Sequence, residues 1–239
     1  MIAENQFLLA SNRNIDIAGD LKMEEAWNFG GSLTSYYQLA GNELRVSADF
    51  YHTRFINQVV VDLDRDVNTV FFYNLDGKSI SNVAQLEMQW EPVNRLDFLA
   101  AFRWNDVRMT TDGILRQRAL QGKYKGLITA SYLSYLRKWQ YDATVSLNGP
   151  GRIPSTEDNP PPYQRPEKFD PYVLVNGQVT RKFKYWDIYL GVENLTNIKQ
   201  EDPVISAGNP SGDEFDASLI WGPVMGRMVY GGIRISINR

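Results

Sequence analysis

The aspartates between positions 62 and 66 are the side chains whose spacing could bind a metal ion. Three carboxylates alternate there with other residues, namely those of Asp62, Asp64 and Asp66. Calcium-binding loops use such alternating oxygen ligands, but the glycine that an EF-hand loop needs at its sixth position is replaced by Val67. These aspartates are therefore calcium candidates, while the preferred interpretation is a solvated loop or a hairpin of residues 58–63 against residues 69–73.

The sequence lacks the histidines and cysteines that acid–base and nucleophilic catalysis commonly use. His52 is the only histidine and the chain has no cysteine, which excludes a histidine-based triad, a multi-histidine metal site and a thiolate site. A single histidine in a strand is typical of an interfacial or packing residue. We therefore predict no catalytic residue, no cofactor-binding residue and no cofactor, and we expect that the chain is not an enzyme.

Two loop segments carry side chains that could meet a ligand or a surface partner. Acidic residues cluster at Glu201-Asp202 and from Asp213 to Asp216, where solvated loop charges are the preferred interpretation. Tyr163 follows three prolines at positions 160–162, and a rigid polyproline-like spacer is preferred there over stacking on a ligand. The sequence leaves the ligand-binding residues unassigned.

The composition combines many aromatic residues with a polar average. Aromatic residues make up 13% of the 239 positions, yet the mean hydropathy is -0.37. A membrane barrel with one lipid face, one wet face and aromatic belts has this composition; an aromatic-rich soluble β-sandwich is the alternative. The net charge of -3 shows that the chain lacks the excess of basic residues that binds nucleic acid, so nucleic-acid binding is excluded.

Neither end of the sequence nor its middle carries a helical membrane signal. Residues 1–6 lack a basic region followed by an apolar stretch, so no signal peptide is predicted. No run of 18 apolar residues predicts a transmembrane helix. We expect the chain to be a mature or truncated piece of an exported protein.

Alternation with a period of two is the dominant pattern. From Trp139 to Asn148 every odd position is apolar or aromatic and every even position is polar, as in a strand with one apolar and one wet face. The same alternation predicts about nine strands, near residues 26–38, 42–55, 78–91, 95–107, 123–136, 139–149, 171–182, 185–194 and 227–237. Most of these reach the roughly 9–11 residues that a tilted strand needs to cross a bilayer.

The connections between the predicted strands alternate between short and long. Tight turns are predicted at residues 40–42, 92–94, 137–138 and 183–184, and long loops near residues 56–77, 108–122, 150–170 and 195–226. Outer-membrane barrels place tight turns on the periplasmic side and long loops outside. No segment has a convincing helical period, although residues 114–121 could form a short turn of helix.

An odd number of strands cannot close a bacterial single-chain barrel, which normally has an even number. An open sheet in lipid would leave edge N–H and C=O groups unsatisfied, at a cost of several kcal/mol each. We therefore expect further strands N-terminal to this chain.

Several C-terminal motifs resemble the closing strands of TonB-dependent outer-membrane receptors. They are Asn194-Leu195-Thr196-Asn197, Trp221-Gly222-Pro223, Gly226-Arg227 and Tyr230-Gly231-Gly232-Ile233-Arg234, and residues 21–30 resemble a strand opening of the same family. The resemblance implies an all-β fold of antiparallel transmembrane strands, here the last nine of a 22-stranded barrel. Residues 1–239 would then be a partial outer-membrane barrel, with the plug domain of the family absent from this chain.

The resemblance also implies a role and partners. Receptors of this family take up a scarce nutrient, such as a siderophore, cobalamin or a glycan, across the outer membrane. The implied partners are outer-membrane lipid, the N-terminal strands and plug of the same receptor, the TonB complex through that plug, and a small nutrient ligand. The alternatives are a passive porin-like barrel and a soluble all-β carbohydrate-binding module.

Overall fold

The computed structural model describes residues 2–236, and these residues are almost entirely β-structure. Fifteen strands follow one another: β1 (Asn14–Ile17), β2 (Glu25–Leu39), β3 (Asn42–Asn57), β4 (Val59–Asp62), β5 (Thr69–Asn74), β6 (Ser79–Trp90), β7 (Leu96–Thr111), β8 (Ile114–Gln117), β9 (Tyr124–Leu133), β10 (Trp139–Asn148), β11 (Gly151–Arg152), β12 (Lys168–Phe169), β13 (Tyr172–Lys182), β14 (Trp186–Glu193) and β15 (Met228–Ile235). Two 3-10 helices, Ile2–Ala10 and Pro161–Tyr163, complete the elements. Neither helix is long and apolar enough to cross a membrane.

Nine long strands form one antiparallel sheet in which chain neighbours are also sheet neighbours. The order is β15-β14-β13-β10-β9-β7-β6-β3-β2, with the short strand β8 paired to β7. Within the described residues, β2 and β15 are the two edges of this sheet. The prediction of an all-β antiparallel fold with nine long strands is therefore confirmed, and each predicted strand overlaps an observed one; Ile237 of the last prediction lies outside the described residues.

Two short segments between the long strands also form β-structure, namely the pair β4–β5 and the strand β8. The predicted hairpin before residue 74 is confirmed, since β4 pairs antiparallel with β5. The predicted turn of helix at residues 114–121 is wrong, because residues 114–117 form β8 and pair with the end of β7. Strand β7 continues to Thr111, beyond the predicted end at residue 107, and its extra residues supply the ladder that fixes β8 as a strand.

The two faces of the sheet differ in chemistry as the alternation requires. One face exposes large apolar side chains, such as Leu33, Leu190 and Ile233, each more than half exposed. On the other face polar side chains bond across the strands, as when Ser131 donates to the carboxylate of Asp142 at 2.6 Å. We call these the apolar face and the polar face.

The apolar face changes character before the strands end. On β3 its apolar series runs from Leu44 to Phe50 and is followed on the same face by His52 and Arg54. His52 bonds through Nδ1 to Asn82 at 2.7 Å. The part of β3 beyond Phe50 spans roughly 23 Å at the usual rise of a strand. The sheet therefore extends well past its continuous apolar band on the side of the long loops.

Aromatic side chains gather near the ends of the long strands. At the tight-turn end they are Tyr37, Trp90, Tyr132, Trp139 and Trp186, and at the loop end Trp27, while Trp104 lies in the middle of β7. Most are at least two-fifths exposed, in the position expected for interfacial belts.

The buried core lies among the loops rather than within the sheet. We name the segment before β2 and the four long connections between the long strands as follows: the N-terminal segment (residues 2–24), loop A (58–78), loop B (112–123), loop C (149–171) and loop D (194–227). One apolar cluster joins the N-terminal segment to loop A through Leu8, Leu63, Val70 and Phe72. A second joins loops C and D through Ile153, Phe169, Ile205 and Leu219.

Candidate functional site

The loops pack together into a cap at one end of the sheet, and buried ion pairs hold the cap across long stretches of sequence. The N-terminal segment is tied to loop D by Arg13, whose guanidinium lies 2.8 Å from the carboxylate of Asp216. The side chains of this pair are only 3% and 5% exposed. Backbone bonds flank it, from Asn12 N to Phe215 O at 3.0 Å and from Ala217 N to Ala10 O at 2.8 Å. The N-terminal segment precedes edge strand β2 and loop D precedes edge strand β15, so the tie joins the segments next to opposite edges of the sheet.

Asp64 forms the second tie of the cap. Its carboxylate accepts two bonds from Arg152 of loop C, and the Nη2–Oδ2 distance is 2.8 Å. The amide of Ser155 also donates to Asp64, at 3.0 Å. A bidentate arginine–carboxylate pair fixes geometry as well as distance, so loop A and loop C are held in one arrangement.

Asp62 is satisfied by donors within its own hairpin. It is fully buried, accepts the amide of Asp64 at 2.8 Å and accepts the hydroxyl of Tyr73 at 2.7 Å. Burial, together with this bond to a carboxylate, raises the pKa of Tyr73 to about 12. Asp66 caps a local turn through the amide of Asn68, at 2.7 Å.

The carboxylates of the three calcium candidates thus accept hydrogen bonds from different donors. Across residues 2–236, no three histidine, aspartate or glutamate side chains come together in a way that could hold a metal ion. Calcium binding at Asp62, Asp64 and Asp66 stays a prediction without support from this geometry.

The C-terminal motifs of the sequence meet at the base of loop D. Asn194, buried and with a positive φ of 51°, donates to the carbonyls of Ile198 at 2.7 Å and Met225 at 3.1 Å. Arg227 donates to the carbonyl of Leu195 at 2.8 Å. These residues therefore close the base of loop D.

Gly226 lies at the base of loop D, at a position that has no room for a side chain. A Cβ atom built there would lie 2.5 Å from Oδ1 of Asn197, the same oxygen that accepts the amide of Arg227 at 2.9 Å. Any larger residue would displace that bond.

A cavity of about 540 Å³ lies between the cap and the polar face. Its walls come from β3, β6 and β7 below and from the N-terminal segment and loops A and B above. Hydroxyl groups line it at Thr53, Ser79, Ser81 and Thr111, and arginines at positions 103, 116 and 118. A cavity of this size can hold a small-molecule ligand.

A second cavity, of about 470 Å³, lies over the apolar cluster of loops C and D. Trp221 forms part of its wall and stacks on Phe169, with ring centroids 4.8 Å apart. Glu201 and Asp202 lie at its rim, so one of the two acidic clusters found in the sequence faces a cavity.

Two of the other loop residues singled out in the sequence, Asp216 and Tyr163, have structural contacts. Asp216 of the second acidic cluster is the buried partner of Arg13. Pro160 has the φ of −51° and ψ of 145° of polyproline, as predicted, but residues 161–163 then form a 3-10 turn and Tyr163 packs against the apolar cluster. No local pattern marked the cavity-lining arginines.

Comparison with protein families gives one match, to the family described as "TonB dependent receptor-like, beta-barrel", over residues 4–195. No curated protein is significantly similar in sequence. The fold is similar to several solved structures. One is a variant of the ferric enterobactin receptor PfeA of Pseudomonas aeruginosa, with 15% identity over 91% of this chain and 32% of that chain and a TM-score of 0.61.

Two further solved structures show the same fold. The FrpB iron transporter of Neisseria meningitidis is 14% identical over 92% of this chain and 32% of that chain, with a TM-score of 0.62. The siderophore receptor PiuA of Acinetobacter baumannii is 15% identical over 88% and 29%, with a TM-score of 0.51. The chain spans about a third of the length of these proteins.

Proposed function

The chain belongs to the family of TonB dependent receptor-like β-barrels, and from this premise we propose that it supplies the C-terminal barrel strands of an active-transport receptor in the bacterial outer membrane. The apolar face lies against lipid, the polar face lines the interior, and the loops form an outer cap. The observation that carries this proposal is the exposed apolar face on a sheet whose cap and polar face enclose a cavity.

The edges of the sheet support the presence of partner strands. The outer edges of β2 and β15 carry backbone groups that lipid cannot satisfy. Earlier strands of the same receptor would pair with both edges and close a barrel of 22 strands, the number that outer-membrane transporters use. The N-terminal plug of the receptor would fill the barrel and connect it to the TonB complex.

The ligand is a scarce nutrient of the classes that such receptors import, which include siderophores, cobalamin and glycans. Support comes from the similar structures, which include a ferric enterobactin receptor and an iron transporter. The 540 Å³ cavity lies between the outer cap and the interior face, on the route that an imported molecule would take.

Uptake in the native bacterium tests this proposal. Deleting the coding region for residues 25–235 should abolish growth on one limiting nutrient, supplied in turn as iron chelate, cobalamin or glycan. Deleting TonB as well should add no further loss, because both act in one route. Uptake that persists without TonB would instead identify a passive porin. A chain that is monodisperse in buffer without detergent would identify a soluble carbohydrate-binding module.

A further inference from the structure

We propose that the tight-turn end of β10, β13 and β14 binds the phosphate of an anionic phospholipid headgroup, with Arg181 in direct contact with that phosphate. The inference rests on the proposed function, because it takes the apolar face to lie against lipid. It is carried by the position of Arg181 on that face and by an excess of cations in the two turns beside it.

Arg181 lies on the apolar face although its side chain is charged. In the ladders of β13 it stands directly opposite Trp139 of β10 and Ile188 of β14, and directly opposed side chains share one face. Val179, two residues earlier, is 40% exposed on the same face. Only Lys182 follows Arg181 in β13, so the guanidinium lies at the level of the interfacial aromatic residues.

Two aromatic rings hold the guanidinium of Arg181 in place. Its carbon Cζ lies 4.7 Å from the ring centroid of Trp139 and 5.6 Å from that of Phe183. With the described residues it forms neither an ion pair nor a side-chain hydrogen bond. An arginine beside hydrocarbon needs an acceptor for its N–H groups, and its planar fork matches two oxygens of a headgroup phosphate.

The two turns beside Arg181 carry further cations. Arg137 and Lys138 lie in the turn between β9 and β10, and Lys184 lies in the turn between β13 and β14. The turns are adjacent, because the amide of Lys182 donates to the carbonyl of Lys138 at 2.8 Å. None of these side chains forms an ion pair within the described part of the chain. Their positive charge favours a headgroup with a net negative charge over a zwitterionic one.

The other two tight turns lack this excess of cations. The turn between β2 and β3 contains no basic residue and is followed by Glu43. The turn between β6 and β7 contains Glu91, which accepts the amide of Arg95 at 2.6 Å. Beside the basic turns, the carboxylate of Asp187 stands opposite Lys182 on the polar face, away from Arg181. The basic site is therefore confined to one part of the sheet, and its lipid preference can be compared with that of another part of the same molecule.

The test places a fluorescent label at one of two positions in the full receptor. Ile188→Cys lies beside Arg181, and Leu39→Cys lies beside the turn without basic residues; the native side chains are 44% and 45% exposed. The receptor is reconstituted in phosphatidylcholine vesicles that contain brominated phosphatidylglycerol or, at the same mole fraction, brominated phosphatidylcholine. The anionic lipid should quench the label at position 188 as if enriched about fivefold, the factor that one nearby cation contributes, and this preference should fall as salt rises. Both lipids should quench the label at position 39 equally.

Two variants assign the preference to these cations. Arg181→Gln with Lys184→Gln should abolish the preference for anionic lipid at the neighbouring label. Quenching by brominated phosphatidylcholine should stay unchanged in this variant, which shows that the strand keeps its fold and its lipid contact. Lys184→Gln alone changes only an exposed turn residue and should lower the preference without disturbing the ladder, so the test does not depend on the folding of the double variant.

A matched control removes two cations from the cap. Arg65 also stacks on an aromatic ring, with Cζ 4.7 Å from the centroid of Phe71, so Arg65→Gln with Lys22→Gln should keep the preference at position 188. The inference is overturned if the labels at positions 188 and 39 show the same preference, if the double variant at the tight turns keeps it, or if the control loses it. With both labels quenched by brominated lipid, these results leave the proposed function intact. Quenching of neither label by either lipid would overturn the proposed function together with this inference.

Discussion

The buried ion pair between Arg13 and Asp216 offers the sharpest test of how the cap is held. The change Asp216→Asn keeps the size of the side chain and removes its charge, so the guanidinium of Arg13, only 3% exposed, loses its counterion. Removing one partner of a buried pair typically costs about 3–5 kcal/mol. Because the oxygen of the new side-chain amide would still accept one hydrogen bond, we expect the lower end of that range, about 3 kcal/mol.

Hydrogen exchange measures this loss where it occurs. The amides of Asn12 and Ala217 donate across the tie, to Phe215 and Ala10, so they exchange only when the two segments separate. A loss of about 3 kcal/mol should raise their exchange about 100-fold, since each tenfold change corresponds to about 1.4 kcal/mol. Amides of the β9–β10 ladder should not change.

Two further variants control the interpretation. Asp213→Asn removes an exposed charge from the same loop and should leave exchange unchanged. The pair Arg13→Met with Asp216→Leu replaces the ions by apolar groups and should restore most of the protection, as such replacements often do. If Asp216→Asn exchanges no faster than the unaltered protein, the pair does not hold the cap.

Three other predictions concern the loop base, the hairpin and the sheet faces. Asn194→Ala leaves the carbonyls that Asn194 now bonds without their donor and should cost about 1–3 kcal/mol, seen as faster proteolysis of loop D, whereas Asn209→Ala should not. The raised pKa of Tyr73 means that its contribution to hairpin stability is complete below pH 10 and lost as pH rises toward 12; Tyr73→Phe should remove that step from the exchange profile. Val145→Arg on the apolar face should lower stability in lipid by about 2–4 kcal/mol near the midplane, while Thr144→Arg on the polar face should change it little.

The strands could be predicted because the alternation of apolar and polar residues is visible within each segment of the sequence. From Trp139 to Asn148 apolar and polar residues alternate, and the observed exposure follows the same alternation as far as Ser146. The hairpin of β4 and β5 was also predictable, since both of its strands lie within one short segment.

Strand β8 could not be predicted, because four residues, Ile-Leu-Arg-Gln, show no period of their own. Its conformation is set by the extension of β7, which offers a ladder partner. Arg116 lines the 540 Å³ cavity because of that ladder, so the sequence alone could not place it there.

The ion pairs that hold the cap could not be predicted from the sequence, because their partners lie far apart in it. Asp64 pairs with an arginine 88 positions away and Arg13 with an aspartate 203 positions away, and no local pattern marks such partners. The alternating aspartates made calcium a candidate, although a loop or hairpin was the preferred interpretation. In the structure the carboxylate of Asp62 accepts the amide of Asp64 and the hydroxyl of Tyr73, and that of Asp64 accepts the guanidinium of Arg152 and the amide of Ser155.

Site-specific quenching tests most directly the claim that the apolar face lies against lipid. The chain has no cysteine, so the single changes Val145→Cys and Thr144→Cys, at neighbours on opposite faces of β10, can each carry a fluorescent label in the reconstituted receptor. We predict that brominated acyl chains quench the label at position 145 and that aqueous iodide quenches the label at position 144. Equal quenching of both labels by iodide, with none from brominated lipid, would contradict the membrane account.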